Sequence, residues 1–259
     1  MTAQPLLRVR GLTRRYGGLL ALDGVDLDVA SGTVHAVIGP NGSGKTTLLN
    51  TLSGASRPDA GSVRLGNVET GRLRPHRIAA LGLARTFQNI RLFAGLSVIE
   101  NVKVAAARHA PVPLLHVVTG SSRSRAAERE IAARANAALA AVGLSRRADD
   151  RATALPYAQQ RLVEIARALA AGPSLLLLDE PAAGMNMSES LGLLDTIRKL
   201  RDGGLTVLLV EHNVRLVMGV SDRVTVLDFG RRIAEGPPAE VRADPAVIEA
   251  YLGRRAGHA

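Results

Sequence analysis

The chain has 259 residues, a formal net charge of +10 and no cysteine. This length can bury a sizeable core in one large domain or two small ones. The lack of cysteine excludes disulfides and thiolate metal sites, and it fits a reducing compartment. No run of about 18 uncharged apolar residues occurs, and no basic segment followed by an apolar one opens the chain, so we expect neither a membrane span nor a signal peptide.

The positive charge does not by itself predict a nucleic-acid partner. The basic residues are 30 arginines and three lysines, and they are spread along the chain rather than clustered. With three tyrosines, three phenylalanines and no tryptophan, the chain offers little aromatic surface on which single-stranded bases could stack. We therefore expect no nucleic-acid partner, while an affinity for acidic lipid headgroups stays open.

Short amphipathic strands open the predicted fold. Residues 7–12 and 25–29 alternate apolar and polar side chains, as half-exposed antiparallel strands do. Residues 61–66 form another short strand pattern with turn residues at both ends. These segments predict a small antiparallel β-layer.

A glycine-rich loop follows a buried strand pattern at residues 34–38 and fits the phosphate-binding pattern G-x-x-x-x-G-K-S/T. Its glycines let backbone N–H groups and the N-terminus of the next helix surround a polyphosphate. We expect Lys45 to reach the β- and γ-phosphates and the Thr46 hydroxyl to ligate Mg²⁺. The flanking strand and helix patterns disfavour an accidental match by a glycine-rich turn. The predicted loop consists of Gly39, Pro40, Asn41, Gly42, Ser43, Gly44, Lys45, Thr46 and Thr47.

Residues 97–169 have a mainly helical pattern, which residues 111–113 and 120–125 interrupt with proline, glycine and serine. Within it, the Ala-rich residues 125–142 are strong helix formers. This helix is predicted to end at Gly143, a residue type that suits a C-cap.

Two continuous apolar runs, residues 175–178 and 206–210, are typical of parallel strands that are covered on both faces. Residues 188–201, between them, place apolar side chains at helical spacing. Strand, helix and strand in this order predict a βαβ unit. The expected architecture is an α/β nucleotide-binding core with an antiparallel β-layer and an inserted α-helical subdomain.

The first of these runs delivers two carboxylates at its C-terminal end, where α/β sheets bind ligands. We expect Asp179 to hold Mg²⁺ through water. Glu180 is expected to polarise the water that attacks the γ-phosphate. The alternative is an exposed acidic turn after a core strand, which the phosphate-binding loop disfavours.

In this order, the motifs resemble the ATPase subunit of an ABC transporter, and the resemblance covers nearly the whole chain. It implies an α/β P-loop NTPase fold, the ABC-type nucleotide-binding domain, over residues 1–254, with a short tail at residues 255–259. The helical subdomain, about residues 89–168, is inserted in the α/β core. The implied cofactors are ATP and Mg²⁺.

The resemblance also assigns roles to three single residues. Tyr16, in the sequence R-Y-G-G, occupies the place of an aromatic that stacks on adenine. Gln88 matches a glutamine that senses Mg²⁺ and the γ-phosphate, and His212 matches a histidine that contacts the γ-phosphate. Alone, His212 is typical of a helix start without a ligand. The implied catalytic residues are Glu180, Gln88 and His212, and the implied metal ligands are Thr46, Gln88 and Asp179.

Four segments resemble importers for branched-chain amino acids. They are residues 85–93, 181–186, 217–223 and 247–253, and the long helical stretch around residues 111–125 also fits. Lipopolysaccharide-export ATPases share part of this pattern. The resemblance implies a peripheral subunit at the cytoplasmic face of the cell membrane, held there by transmembrane permease subunits. An extracytoplasmic solute-binding protein is an indirect partner.

One motif departs from the family pattern. The signature Leu-Ser-Gly-Gly-Gln contacts the ATP held by a partner subunit, and here it is altered. Pro156 removes a hydroxyl and an N–H, and Ala158 adds a Cβ where backbone approaches phosphate. Each lost charge-assisted hydrogen bond costs on the order of 1.5–3 kcal/mol. The altered segment consists of Leu155, Pro156, Tyr157, Ala158 and Gln159.

A homodimer would contain two weakened sites and a heterodimer only one, so the altered signature favours a heterodimer with a second ABC ATPase subunit. Two rival functions stay open. The chain could be a regulatory subunit that binds ATP but barely hydrolyses it. It could also be an ABC ATPase of an exporter or one without a role in transport, although it contains neither a second cassette nor a long coiled-coil insertion.

Overall fold

The computed structural model describes residues 4–109 and 122–252. Some predictions therefore lie wholly or partly outside the described residues: the breaks at 111–113 and 120–125, the stretch around 111–125, the last residue of the segment 247–253, and the tail at 255–259. The break at 120–125 is wrong for its described part, because residues 122–125 form the first turn of the Ala-rich helix. None of the described helices is long and apolar enough to cross a bilayer.

The amphipathic strands form an antiparallel sheet with the order β2-β1-β4-β5. Apolar side chains of alternate residues point into the core and polar ones point outward, which confirms the predicted β-layer. The strands are longer than the periodicity predicts, because register shifts let the first two strands stay paired beyond the alternating part. Their bounds are β1 (Leu7–Tyr16), β2 (Leu19–Val29), β4 (Ala60–Leu65) and β5 (Val68–Glu69).

The second sheet has six strands in the order β10-β9-β3-β8-β7-β6. Its pairs are parallel except for the antiparallel pair of β9 and β10. The three strands predicted to be buried, β3, β7 and β8, are buried throughout. The bounds are β3 (Val34–Ile38), β6 (Leu83–Arg85), β7 (Leu175–Asp179), β8 (Thr206–Val210), β9 (Arg223–Asp228) and β10 (Arg231–Gly236).

The described helices lie mainly around the parallel sheet. Two of them begin with capping boxes, Ser97 with Glu100 and Asn186 with Glu189. The Ala-rich helix ends before Gly143, whose φ of 75° gives the expected left-handed C-cap. The bounds are α1 (Lys45–Leu52), α2 (Pro75–Ala80), α3 (Val98–Ala106), α4 (Ser122–Ala141), α5 (Tyr157–Ala170), α6 (Met187–Asp202), α7 (Val214–Val220), α8 (Pro238–Ala243) and α9 (Pro245–Leu252).

Two apolar cores lie on the opposite faces of the parallel sheet. Ala36 and Leu176 belong to the core under α3 to α7, and their neighbours Val37 and Leu177 belong to the core under α1 and the β-layer. Helices α3, α4 and α5 pack against one another as a helical layer. This arrangement confirms the predicted fold class. The boundaries of the helical subdomain at residues 89–168 stay a prediction.

A buried histidine joins the central strand to its neighbour. His35 on β3 is 1% exposed, and its Nε2 lies 2.8 Å from the Thr225 Oγ1 on β9. Burial lowers the pKa of His35 from its ordinary value of 6.5 to about 4, because the charged ring would lose its hydration. The folded state therefore binds fewer protons than the unfolded state between these pH values, and the protein loses stability as the pH falls through this window.

We predict that His35→Gln flattens this acid dependence. A shift from 6.5 to about 4 corresponds to roughly 3 kcal/mol of unfolding free energy lost between neutral pH and pH 4. Glutamine is neutral and can still bond Thr225, so that loss should disappear from the urea unfolding curves. His76→Gln on the exposed side of α2 is the control and should keep the parental dependence of unfolding free energy on pH. If His35→Gln showed the parental dependence of unfolding free energy on pH, the prediction would be wrong.

Candidate nucleotide site

The predicted phosphate-binding loop connects β3 to α1, as its motif requires. Gly39 and Gly44 have φ values of 154° and 104°, which favour glycine. A Cβ on Gly39 would lie 2.1 Å from the Leu227 carbonyl oxygen, and one on Gly44 would lie 2.5 Å from that of Ala21. These two glycines are therefore needed for packing of the loop against its neighbours as well as for its turn.

Lys45 begins α1, and its ammonium group is held by the loop. The Lys45 Nζ donates to the carbonyl oxygens of Gly39 at 2.7 Å and Pro40 at 2.9 Å. These bonds place a positive charge beside the N-terminus of α1, whose N–H groups already favour an anion.

A cavity of about 420 Å³ lies above this loop. This volume lies within the usual range for small-molecule pockets. The glycine cradle, the Lys45 ammonium and the helix N-terminus provide the donors that a polyphosphate requires, so the residues present fit a nucleoside triphosphate. The lining residues are Tyr16, Leu19, Leu20, Ala21, Asn41, Gly42, Ser43, Gly44, Lys45, Thr46, Thr47, Glu180 and Phe229.

Tyr16, the predicted adenine platform, lies at the edge of this cavity and is 44% exposed. Its hydroxyl lies 3.2 Å from the Ser56 Oγ, and the Arg14 guanidinium lies 4.6 Å from the ring centroid. The ring is therefore fixed at its hydroxyl end and by a cation–π contact while part of its surface is exposed.

The carboxylate of Glu180 contacts the other two predicted catalytic residues, Gln88 and His212. The Gln88 Nε2 donates to the Glu180 Oε2 at 3.1 Å, and the His212 Nδ1 lies 3.6 Å from the same oxygen. Glu180 has a φ of 44°, a conformation that is unfavourable for a side chain of this size. Strain of this kind persists where the surroundings impose it and is frequent at active sites.

Asp179 forms a buried ion pair that the sequence does not predict. The Arg85 Nη2 donates to the Asp179 Oδ2 at 2.9 Å, and the Arg85 Nη1 donates to the side chains of Asn50 and Ser53 at 2.8 and 3.0 Å. This pairing engages the Oδ2 oxygen of the Asp179 carboxylate, and the role of Asp179 in holding Mg²⁺ through water stays a prediction.

The oxygen donors of Thr46, Gln88 and Asp179 have the chemistry that Mg²⁺ requires. Among the described residues, no cluster of three or more His, Cys, Asp or Glu side chains could hold a metal ion by itself. The residues present fit Mg²⁺, which Thr46, Gln88 and, through water, Asp179 would hold.

Besides Asp179, the site contains a second buried carboxylate, Glu211, which the sequence reading missed. Its Oε1 accepts a hydrogen bond from the Ala182 N–H at 2.9 Å, and its Oε2 lies 3.9 Å from the His212 Nδ1. Burial raises the pKa of Glu211 above its ordinary value, and the Ala182 N–H and His212 oppose this shift. Glu211 thus ties the segment after Glu180 to the end of β8. Its position beside His212, after an apolar run, was the available signal.

Arg161 is another residue that sequence reasoning missed. Its fully buried guanidinium donates to the carbonyl oxygens of Phe87 at 2.7 Å and Gln88 at 2.5 Å, and to the Glu164 Oε2 at 2.6 Å. The Glu164 Oε1 in turn accepts from the Arg91 N–H at 2.8 Å. The spacing of an arginine and a glutamate three residues apart was visible in the sequence but is usually an exposed pair.

The altered signature lies at the start of α5. Pro156 is the N-cap residue, and the Gln160 N–H donates to its carbonyl oxygen at 3.0 Å, so the helix forms despite the proline. Pro156 has no side-chain donor or acceptor with which to cap this helix. Of the described residues that line the cavity of the same chain, none belongs to residues 155–159. Whether this segment contacts a partner's nucleotide stays a prediction.

Comparisons with known proteins agree with this geometry. A family model described as ABC transporter matches residues 22–183, and one described as branched-chain amino acid ATP-binding cassette transporter matches residues 231–257. The chain is 45% identical to the high-affinity branched-chain amino acid transport ATP-binding protein BraF of Pseudomonas aeruginosa, with 97% of this chain and 99% of that protein covered. It is 42% identical to LivG of Escherichia coli K12, a protein of the same description, with the same coverage.

Solved structures resemble the chain over most of its length. The ADP conformation of MJ1267, an ATP-binding cassette of an ABC transporter, has a TM-score of 0.82 at 30% identity and covers 97% of this chain and 100% of that one. The dimeric bacterial ABC transporter cassette MJ0796 has a TM-score of 0.75 at 26% identity, with 90% and 98% covered.

We predict that Arg161→Met destabilises the fold strongly. The change leaves the buried Glu164 Oε2 without the Arg161 guanidinium, while Oε1 keeps the Arg91 N–H and Arg167 at 3.7 Å. Removing one partner of a buried ion pair typically costs about 3–5 kcal/mol of unfolding free energy. Arg147→Met is the matched control, because Arg147 and Asp150 form an exposed pair with the same spacing and a separation of 3.0 Å. That pair should contribute less than about 1 kcal/mol in urea unfolding. Equal effects of the two substitutions would show that the buried network is not stabilising.

Proposed function

The chain belongs to the ABC transporter family of ATP-binding cassettes, and on that premise we propose that it hydrolyses ATP to drive a membrane importer for branched-chain amino acids. The substrate class follows from relatives whose names give branched-chain amino acid transport and from the family model that matches residues 231–257. The single observation that carries the hydrolytic activity is the contact of Gln88 and His212 with the Glu180 carboxylate at the edge of the cavity.

In this proposal, the loop at residues 39–47 holds the phosphates and Tyr16 stacks on the adenine. Glu180 orients and polarises the attacking water, and Gln88 and His212 position that carboxylate and contact the γ-phosphate. Mg²⁺ neutralises the charge of the phosphates when bound, and Thr46, Gln88 and Asp179, the last through water, would hold it.

The proposed partners are permease subunits at the cytoplasmic face of the membrane, a solute-binding protein that acts through them, and a second ABC ATPase subunit. A dimeric cassette among the similar structures supports an arrangement in pairs. The heterodimer is supported by the signature, because Pro156 and Ala158 would weaken the site that this segment completes in a partner.

A regulatory subunit with weak hydrolysis is the second candidate function. It is favoured by one observation, the proline at the N-cap of α5, where the family signature provides a serine hydroxyl. The contacts that Glu180 makes with Gln88 and His212 argue against it, because a subunit without hydrolysis has no need of them.

We predict that Glu180→Gln keeps ATP binding and lowers hydrolysis by at least 100-fold. The amide preserves the shape of the side chain but loses the charge that polarises water; placed general bases contribute about 10²–10⁴-fold. The measurement is single-turnover hydrolysis in the assembled complex, with Lys45→Ala, which should lose tight ATP binding, as the control for the phosphate-binding loop. A parental rate in Glu180→Gln would place the catalytic base elsewhere.

We also predict that Pro156→Ser with Ala158→Gly separates homodimer from heterodimer. The pair restores a hydroxyl, an N–H and close backbone approach, so homodimers should hydrolyse ATP about ten-fold faster or more. In a heterodimer, the site completed by the partner's signature already hydrolyses ATP. The gain in ATPase rate should therefore be small. The ATPase rate is measured on the purified chain alone and then with its partner. A double variant that is no faster in either setting would remove the argument for unequal sites.

A further inference from the structure

The turn between β9 and β10 contains a residue that its local structure disfavours. Asp228 pairs with Arg231, so the turn has two central residues, Phe229 and Gly230, with φ values of 43° and 78°. Positive φ at both positions is the requirement of type I′ hairpin turns, for which Asn-Gly is preferred. A bulky aromatic with positive φ is a clear outlier.

Phe229 also contributes little to the core, because it is 73% exposed. Phe229 therefore gains little from burial, while its backbone conformation costs stability. Such combinations persist where they have a function.

The turn is fixed to the nucleotide cavity. The Gly230 N–H donates to the Ser43 carbonyl oxygen of the phosphate-binding loop at 3.0 Å, and the Gly230 carbonyl oxygen accepts from the Asp23 N–H at 2.8 Å. A Cβ on Gly230 would lie 2.8 Å from the Ala21 carbonyl oxygen. These contacts hold the turn between β2 and the loop, and Phe229 is one of the residues that line the cavity.

The cavity has two chemically different parts. Residues 41–47 provide N–H groups and an ammonium for phosphates, whereas Tyr16, Leu19, Leu20 and Ala21 provide apolar and aromatic surface. A phenyl ring gains nothing from a phosphate, but it gains from the face of a purine. The Phe229–Gly230 turn adjoins Ala21 of the apolar part as well as the phosphate-binding loop, so an aromatic ring at this turn is within reach of the apolar part.

We propose that Phe229 is a second aromatic wall, besides Tyr16, for the base and ribose of the bound nucleotide. This inference rests on the proposed function, since it deepens the nucleotide site of that proposal. It accounts for the exposed ring, for the left-handed backbone and for the attachment of the turn to Ser43.

The first test uses Phe229→Asn, which places the preferred residue at the turn. Thermal stability should be equal or higher. The dissociation constant for ATP with Mg²⁺ should rise about ten-fold, the magnitude of one aromatic–base stack. The dissociation constant for inorganic tripolyphosphate should not change, because it lacks a base. Phe93→Asn is the control, since Phe93 is 50% exposed and lies outside the described lining of the cavity, and it should alter neither constant.

The second test uses Phe229→Trp as a spectroscopic probe. The chain contains no tryptophan, so the new side chain is the only one. Saturating ATP should change the fluorescence of the introduced tryptophan, whereas saturating tripolyphosphate should leave this fluorescence unaltered. Equal weakening of ATP and tripolyphosphate by Phe229→Asn would overturn the proposal and leave Phe229 as a support of the loop.

Unchanged ATP affinity in Phe229→Asn would also overturn the proposal. If ATP-dependent dimerisation, followed by light scattering in the Glu180→Gln background, were lost at the same time, Phe229 would face a partner subunit instead. Failure of the proposed function has a different signature. It would leave ATP affinity unchanged in Lys45→Ala, or hydrolysis unchanged in Glu180→Gln, whatever the behaviour of Phe229.

Discussion

The buried guanidinium of Arg161 joins the helical layer to the nucleotide cavity. It binds the carbonyl oxygens of Phe87 and Gln88, and the Gln88 side chain contacts Glu180. The helix that carries Arg161 begins with the altered signature. Because charge-assisted hydrogen bonds to a buried arginine are costly to break, residues 87–88 and α5 are held as one unit. The segment that carries Gln88 is therefore tied by hydrogen bonds to the helix whose first residues form the altered signature.

Strand register brings the other site residues together. Val37, Asp179 and Val210 are in register on β3, β7 and β8, and the next residues along the last two strands are Glu180 and Glu211. The Glu180 N–H donates to the Val210 carbonyl oxygen at 2.9 Å, which continues this pairing past the strand end. Since all three strands are buried on both faces, a shift in register would displace apolar side chains as well as the carboxylates. The stability of the sheet thus maintains the geometry of the site.

The sequence alone predicted those site residues that lie within a recognisable local motif. The loop at residues 39–47 and the acidic pair after β7 are recognisable because glycine spacing and an apolar run are local features. Arg161 could not be identified in this way, because its burial depends on carbonyl groups more than 70 residues away in sequence. The short strand β6 and the half-exposed β10 lack the continuous apolar runs that identified β7 and β8. Their place in the sheet depends on tertiary pairing.

The start of α5 limits what the altered signature can lose. Pro156 lies at the N-cap, so the helix begins at Tyr157. The first N–H groups of any helix, here those of Tyr157, Ala158 and Gln159, have no acceptor within the helix and point beyond its N-terminus. They retain the partial positive charge that favours a phosphate. Compared with the serine of the family signature, Pro156 therefore removes a side-chain hydroxyl and one N–H from the segment. The helix N-terminus that would face a partner's nucleotide is preserved. This geometry favours a weakened site over an abolished one.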